Sequence, residues 1–279
     1  MNTDKPEVRV AILDLYEGVA NEGMRGFRDI LERYKVQHNL DLTYQIFDVR
    51  LKGQVPDTSF DVYISSGGPG SPLNSEGTEW EKKYFRLIDK LEAHNKQEGT
   101  QKKHVFFVCH SFQLMCRRYN LGDIALRRSP SFGVLPVHLT EAGRNEQVFE
   151  GLSDPFYTVD SRSWQVIKPD MDRIEKLGMK ILALEKERPH VKLPQALMAI
   201  RFNEYFFATQ FHPEADAHGM SVMLQREDKK DEVINEHGEA KYKEMLERLE
   251  DPDKIVHTQK TIIPNFLDEA ILSFCHAER

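Results

Sequence analysis

Three stretches of this chain hold residue types at spacings that suit acyl transfer. Cys109 closes the apolar run HVFFV (104–108) and opens a helix-like stretch starting at His110 and Ser111. A sharp strand-to-helix turn there would lift the sulfur out of a sheet and aim free helix N–H groups at it. Such donors, with the helix dipole, lower a thiol's pKa and stabilise a nearby oxyanion. By itself, a cysteine at a strand end is as readily a buried filler. In the second stretch, QFHPE, His212 and Glu214 flank Pro213. Residues two apart in an extended segment share a side, and the proline biases His212 away from helical geometry. Glu214 could hold one imidazole nitrogen while the other takes a proton from Cys109 and later returns one to a leaving amine. The third stretch, SSGGPGSP (65–72), joins permissive Gly67 and Gly68 to stiffening Pro69 and Pro72. That combination suits either a tight turn or a concave array of backbone N–H groups.

The same residues argue against other chemistries. The glycine spacing does not match G-x-G-x-x-G and no Walker sequence is present, so no nucleotide cofactor is expected. Cys109 and Cys116 lack paired metal-ligand spacing, and no metal is expected. Three cysteines make no disulfide framework, which favours a reducing, cytoplasmic compartment. The N-terminal MNTDKPEVRV has no apolar signal core, and every apolar run is too short to span a bilayer. Acidic residues exceed Lys and Arg by 45 to 38, a formal charge of -7, which argues against a broad nucleic-acid surface.

Strands alternating with helices should position these stretches. Val8–Leu15, Leu42 or Tyr44 to Val49, Asp61–Ser65 and His104–Val108 read as strands, with helices near Met24–Tyr34, Trp80–Ala93 and from His110 through Arg118. This order argues for a mostly parallel sheet covered on both sides, with reactive residues at the carboxyl ends of strands. From Gly133 the texture turns β-rich, and LMAIRFN–EYFFATQF reads as a hairpin turning at Asn203 and Glu204 that brings His212 back to the earlier strands. Beyond Asp216 the pattern is helical again. Tyr242, Met245, Leu246 and Leu249 share one face, and Asn265 opens a last helix. The expected organisation is a main domain over 1–225 and a helical extension over 226–279 packed on it.

SSGGPGSP, VCHSFQ and QFHPE, in that order, resemble the motifs of class I glutamine amidotransferases. FGVLPVHLTEAG and the EYFFATQF run are similar to that family's intervening β region, so the likeness covers roughly residues 8–220. The resemblance implies a flavodoxin-like three-layer α/β sandwich with extra β-hairpins. It implies Cys109 as nucleophile, His212 as base and Glu214 as its orienting carboxylate. Gly68 and the backbone N–H of His110 would meet the oxyanion, and Gln113 would help build the pocket or elbow. The implied reaction is attack on a glutamine side-chain amide, release of ammonia and hydrolysis of a glutamyl thioester.

Two positions depart from the family pattern. Phe107 and Ser111 stand where glycines usually lie two before and two after the nucleophile. The phenylalanine either packs beneath the sheet or narrows the substrate site. No synthetase domain fits the tail. The implied settings are therefore a separate synthetase partner, a stand-alone amidase, or hydrolysis of a γ-glutamyl amide in a small peptide or conjugate. A non-catalytic binding or regulatory domain is the contrasting reading, and a homo-oligomer stays open. Among other residues, Cys116 reads as core, Arg127 and Arg128 as a solvated pair or as receivers of a substrate carboxylate, and Trp164, Gln165 and Arg201 as either pocket lining or sheet packing.

Overall fold

Near-continuous apolar runs mark strands buried on both faces, and such runs build the middle of a nine-stranded sheet. The computed structural model describes residues 5–190, 192–249 and 251–275. In chain order the main elements are β1 (Glu7–Asp14), α1 (Gly23–Gln37), β2 (Asp41–Asp48), β3 (Val62–Ser65), α2 (Glu79–Asn95), β4 (His104–Val108) and α3 (His110–Tyr119). Then follow β5 (Asp123–Leu139), β6 (Phe156–Ile167), β7 (Lys180–Glu185), β8 (Leu197–Asn203) and β9 (Phe206–Thr209). Among the described residues the α-helices that follow are α4 (Ala217–Gln225), α5 (Glu227–His237), α6 (Glu239–Arg248) and α7 (His257–Cys275).

The strands lie in the order β2-β1-β3-β4-β9-β8-β7-β5-β6. The mostly parallel sheet expected from the sequence does not form. Among the described residues the pairings from β2 to β9 are parallel, and those from β9 to β6 are antiparallel. Connections explain the split. Parallel neighbours need a crossover of a dozen or more residues, and α1 and α2 provide crossovers in the first half. After α3, among the described residues, no helix of more than six residues separates successive strands up to β9, and neighbours there run antiparallel. The hairpin of β8 and β9 forms as expected, with Arg201 opposite Phe207. The polar stretch before Gly133 also belongs to β5, where Leu126 faces Trp164 and a register shift precedes Ser131 facing Arg162.

Alternation along the strands splits the core in two. Phe106 joins Val10, Ile12, Phe27 and Ile30 on the α1 face. Phe107 joins Leu13, Tyr84, Leu87 and Phe112 on the face covered by α2 and α3. The last helix starts at His257 instead of Asn265 and runs through Pro264. Ile262, Ile263, Phe266 and Leu267 are buried in the α1-side core and hold both sides of the proline. A third cluster seats Met220, Leu224, Val233, Met245 and Leu249 against Val134 and Val159 of the β5–β6 hairpin. Among the described residues no helix is long and apolar enough to cross a membrane.

Phe266 is fully buried and packs edge-on against Phe106 at 5.1 Å. Phe266→Ala should lower unfolding free energy by about 3–5 kcal/mol in denaturant titrations. Leu126→Ala, at a position 62% exposed, should change it by no more than about 0.5 kcal/mol. Equal effects would show that α7 is not part of the main core.

Candidate active site

The three motif stretches leave the carboxyl ends of adjacent parallel strands, β3, β4 and β9. Cys109 caps α3 with φ 51° and ψ -97°, a region that L-residues avoid. Its N–H donates to the Thr209 carbonyl at 2.8 Å, and its own carbonyl accepts the Gln113 N–H at 3.0 Å. Ser111 locks the turn. Its Oγ accepts the Val108 N–H at 2.8 Å and donates to the Ser65 carbonyl at 2.8 Å. The elbow is thereby tied to both neighbouring strands.

His212 and Cys109 stand side by side against Gly67, and His212 Nδ1 lies 2.8 Å from Glu214 Oε1. Burial disfavours the imidazolium, but the charges of Glu214 and Cys109 outweigh it and hold His212 well above 6.5. Glu214 is fully buried, and its second oxygen, Oε2, has no hydrogen-bond partner among the described residues. The backbone around it is anchored from two sides. A Cβ on Gly26 of α1 would strike the Glu214 carbonyl oxygen. Arg25 pairs with Asp216 at 2.5 Å, which in turn caps α4 through the Gly219 N–H.

The glycine loop is clamped from behind. Ser66 Oγ accepts the Leu15 N–H at 2.9 Å, Arg50 donates to the Pro69 carbonyl at 2.8 Å, and Arg117 donates to the Pro72 carbonyl. Gly67 sits closest to the reactive side chains. A Cβ there would stand 2.9 Å from His212 Cε1 and 3.5 Å from Cys109 Cβ. Gly68 lines the same cavity with its other side against the Leu15 carbonyl, 2.5 Å from where its Cβ would be. Gln113 donates to Gln210 Oε1 and to the Trp164 carbonyl, both at 3.0 Å. Gln210 in turn donates to Cys109 Sγ at 3.6 Å. Gln113 thus acts on the sulfur through Gln210, a contact the sequence reading did not assign.

His110 turns its side chain away from this work. It is 1% exposed, and neither ring nitrogen has a partner among the described residues. Burial, then Arg50 and Arg117, push its pKa down to about 3. It is a neutral, packed ring, and only its backbone is free to serve the site. A cavity of about 530 Å³ opens over Cys109, with Gly68, Gln113, Trp164, His212 and Tyr16 in its lining. Among the described residues no group of three or more His, Cys, Asp or Glu is placed to hold a metal ion.

A family model described as glutamine amidotransferase class-I matches residues 12–228. The chain belongs to the class I glutamine amidotransferase family. Solved structures agree on the fold. A glutamine amidotransferase from Thermotoga maritima superposes with TM-score 0.66 at 15% identity, covering 94% of this chain and 97% of that one. One from Methylobacillus flagellatus gives 0.58 at 12%, covering 95% of each chain. The glutaminase domain of a CTPS from Trypanosoma brucei, with acivicin bound, gives 0.55 at 14%, covering 74% of this chain and 86% of that one. A sequence search of curated proteins finds no match.

Within this amidotransferase fold both departures at the elbow have a physical account. Phe107 is fully buried and packs edge-on against Phe202 and Phe206 beneath the sheet, outside the cavity lining. Ser111 replaces backbone freedom with two hydrogen bonds. Elsewhere, Trp164 lines the cavity, Cys116 is core, and Arg201 is held by Glu146 and Glu269, away from this cavity. The expected solvated arginine pair is half wrong. Arg128 is exposed, but Arg127 pairs with Glu185 at 3.0 Å and Gln165 at 2.7 Å, because β5 starts early enough to bring it against β7.

Tyr16 is the residue sequence reasoning missed. It follows β1, the strand beside β3, so its loop opens on the same end of the sheet. Its hydroxyl lies 3.1 Å from the Cβ position of Gly67 and 2.5 Å from that of Gly23. Burial, then the charges of Glu214, Cys109 and Asp14, push the phenol well above its ordinary value, leaving it a neutral donor.

Glu214→Gln should lower the His212 titration, followed by NMR, because burial would then be opposed by Cys109 alone. The pairing's contribution to stability should be complete below 6.5 and disappear as pH rises through the raised value. A titration unchanged by the substitution would rule out Glu214 as its cause.

Proposed function

We propose that this protein is a cysteine-dependent amidohydrolase of the glutamine amidotransferase type. The observation that carries the reading is that His212, held by Glu214, stands beside Cys109 against Gly67 on the wall of an open cavity. The Cys109 thiolate attacks the side-chain carbonyl carbon of glutamine, forming a C–S bond and a tetrahedral oxyanion. Backbone N–H groups of Gly68 and His110 receive that charge, where preorganised donors have most effect. His212 gives its proton to the amide nitrogen, the C–N bond breaks and ammonia leaves. Water, deprotonated by the same imidazole, then attacks the γ-glutamyl thioester, releasing glutamate and restoring the thiol. Glu214 keeps the imidazole oriented and favours its protonated form through both steps. Gln113 orients Gln210, whose N–H steadies the sulfur.

Glutamine is the small-molecule partner in this reading, and a separate synthetase that consumes the ammonia is the protein partner it accommodates. Cys109 and Cys116 are both free thiols, and a reducing cytoplasmic compartment suits chemistry that depends on one of them.

Incubation with glutamine should release ammonia and glutamate. A glutamine-derived chloroketone should add one equivalent to Cys109, located by peptide mass spectrometry. Cys109→Ala should abolish the label, and His212→Ala should lower turnover by about 10³-fold or more. Turnover that survives Cys109→Ala, or no turnover and no label in the unaltered protein, would overturn the proposal.

A further inference from the structure

Gly67, Gly68 and Gly70 bring no side chains to the loop that would hold the oxyanion, so its amides must be aimed from outside. Arg50 reaches that loop from the short helical turn Val49–Lys52 that follows β2. One terminal nitrogen, Nη1, donates to the Pro69 carbonyl at 2.8 Å and to the Leu15 carbonyl at 3.2 Å. The other, Nη2, lies 2.6 Å from Glu17 Oε2. The guanidinium stands 5.5 Å from the Trp80 ring centroid, within cation–π range. Its side chain is 12% exposed, so solvent screens this charge little.

These contacts meet at Gly68. The position that a Gly68 Cβ would take is 2.5 Å from the Leu15 carbonyl oxygen and 3.3 Å from Arg50 Nη1. The Leu15 oxygen carries partial negative charge. Left bare beside Gly68, it would oppose an anion held at the Gly68 N–H, and Arg50 covers it with a charged donor. Pro69, its φ fixed by the ring, passes the hold on its carbonyl back to Gly68. Leu15 also precedes Tyr16, so one nitrogen ties the loop bearing Gly68 to the loop bearing the Tyr16 hydroxyl. The same charge reaches His110, where it helps push the ring's pKa down, and the His110 backbone N–H is the second oxyanion donor. Arg50 does not line the cavity over Cys109, so it acts on the reaction through these groups.

Resting on the amidohydrolase reading above, we propose that Arg50 is a positioning residue for the oxyanion: it aims the Gly68 N–H at the developing charge and covers the Leu15 carbonyl that faces the same glycine. The effect belongs to the transition state, because the tetrahedral oxygen carries a charge that the amide oxygen of bound substrate lacks. No bond to Arg50 forms or breaks.

Arg50→Met keeps the length and apolar bulk beside Trp80 and removes the charge and its donors. kcat for glutamine should fall about 10–100-fold, with KM changed by less than about twofold. Iodoacetamide alkylates Cys109 by displacement at a saturated carbon, which forms no oxyanion. Its rate should therefore stay within about twofold of that of the unaltered protein. Arg50→Lys should recover part of kcat, and guanidinium chloride below denaturing concentration should raise turnover of Arg50→Ala without raising that of the unaltered protein. An unchanged kcat in Arg50→Met, or kcat and alkylation falling together in Arg50→Met and Arg50→Lys, would overturn this inference and leave the amidohydrolase reading intact. No turnover and no chloroketone label in the unaltered protein would overturn both.

Discussion

The site depends on one strained residue. Cys109 is held at φ 51°, a conformation that costs a non-glycine residue about 1–3 kcal/mol and persists only where surroundings over-determine it. Here the surroundings do so. The Thr209 carbonyl takes its N–H, Ser111 holds Val108 and Ser65, and Phe107 fills the core directly below. The strain turns the chain from strand to helix within one residue, which leaves the sulfur above the sheet and the first amides of α3 near it.

A second constraint is close approach. Gly67 and Gly26 lie where a Cβ would collide with His212 or with the Glu214 backbone. Absence of a side chain lets the β3 loop reach the imidazole and lets α1 press against the carboxylate's backbone. Charge then completes what packing begins. A buried carboxylate bonds an imidazole whose pKa it raises, and the sulfur stands beside that imidazole. The Arg50 and Arg117 clamps serve the same end by fixing the glycine loop through its carbonyls.

Much of this was readable in the chain because the motifs are local. HVFFV followed by Cys109 carries its own strand and helix, and QFHPE places His212 and Glu214 on one side by extended geometry. Phe266 and its neighbours sit in the core at the helical spacing their sequence shows. What was not readable depends on distant pairing. The antiparallel half of the sheet follows, among the described residues, from the absence of a long helix between its strands and from a polar start to β5 that has no apolar alternation. Tyr16 looks like any packing tyrosine until β1 is placed beside β3. The difference between Gly67 and Gly68 is one of direction, and two adjacent glycines carry no sign of it. Pro264 looks like a helix boundary, but contacts on both sides of it keep the helix whole.

The most direct measurement of the central claim is the structure of the protein trapped with a glutamine-derived chloroketone. A covalent bond to Cys109 Sγ is expected, with the adduct's oxygen about 2.7–3.1 Å from the backbone N–H groups of Gly68 and His110 and the His212–Glu214 contact retained. An adduct on another residue, or one on Cys109 whose oxygen faces away from both amides, would contradict it.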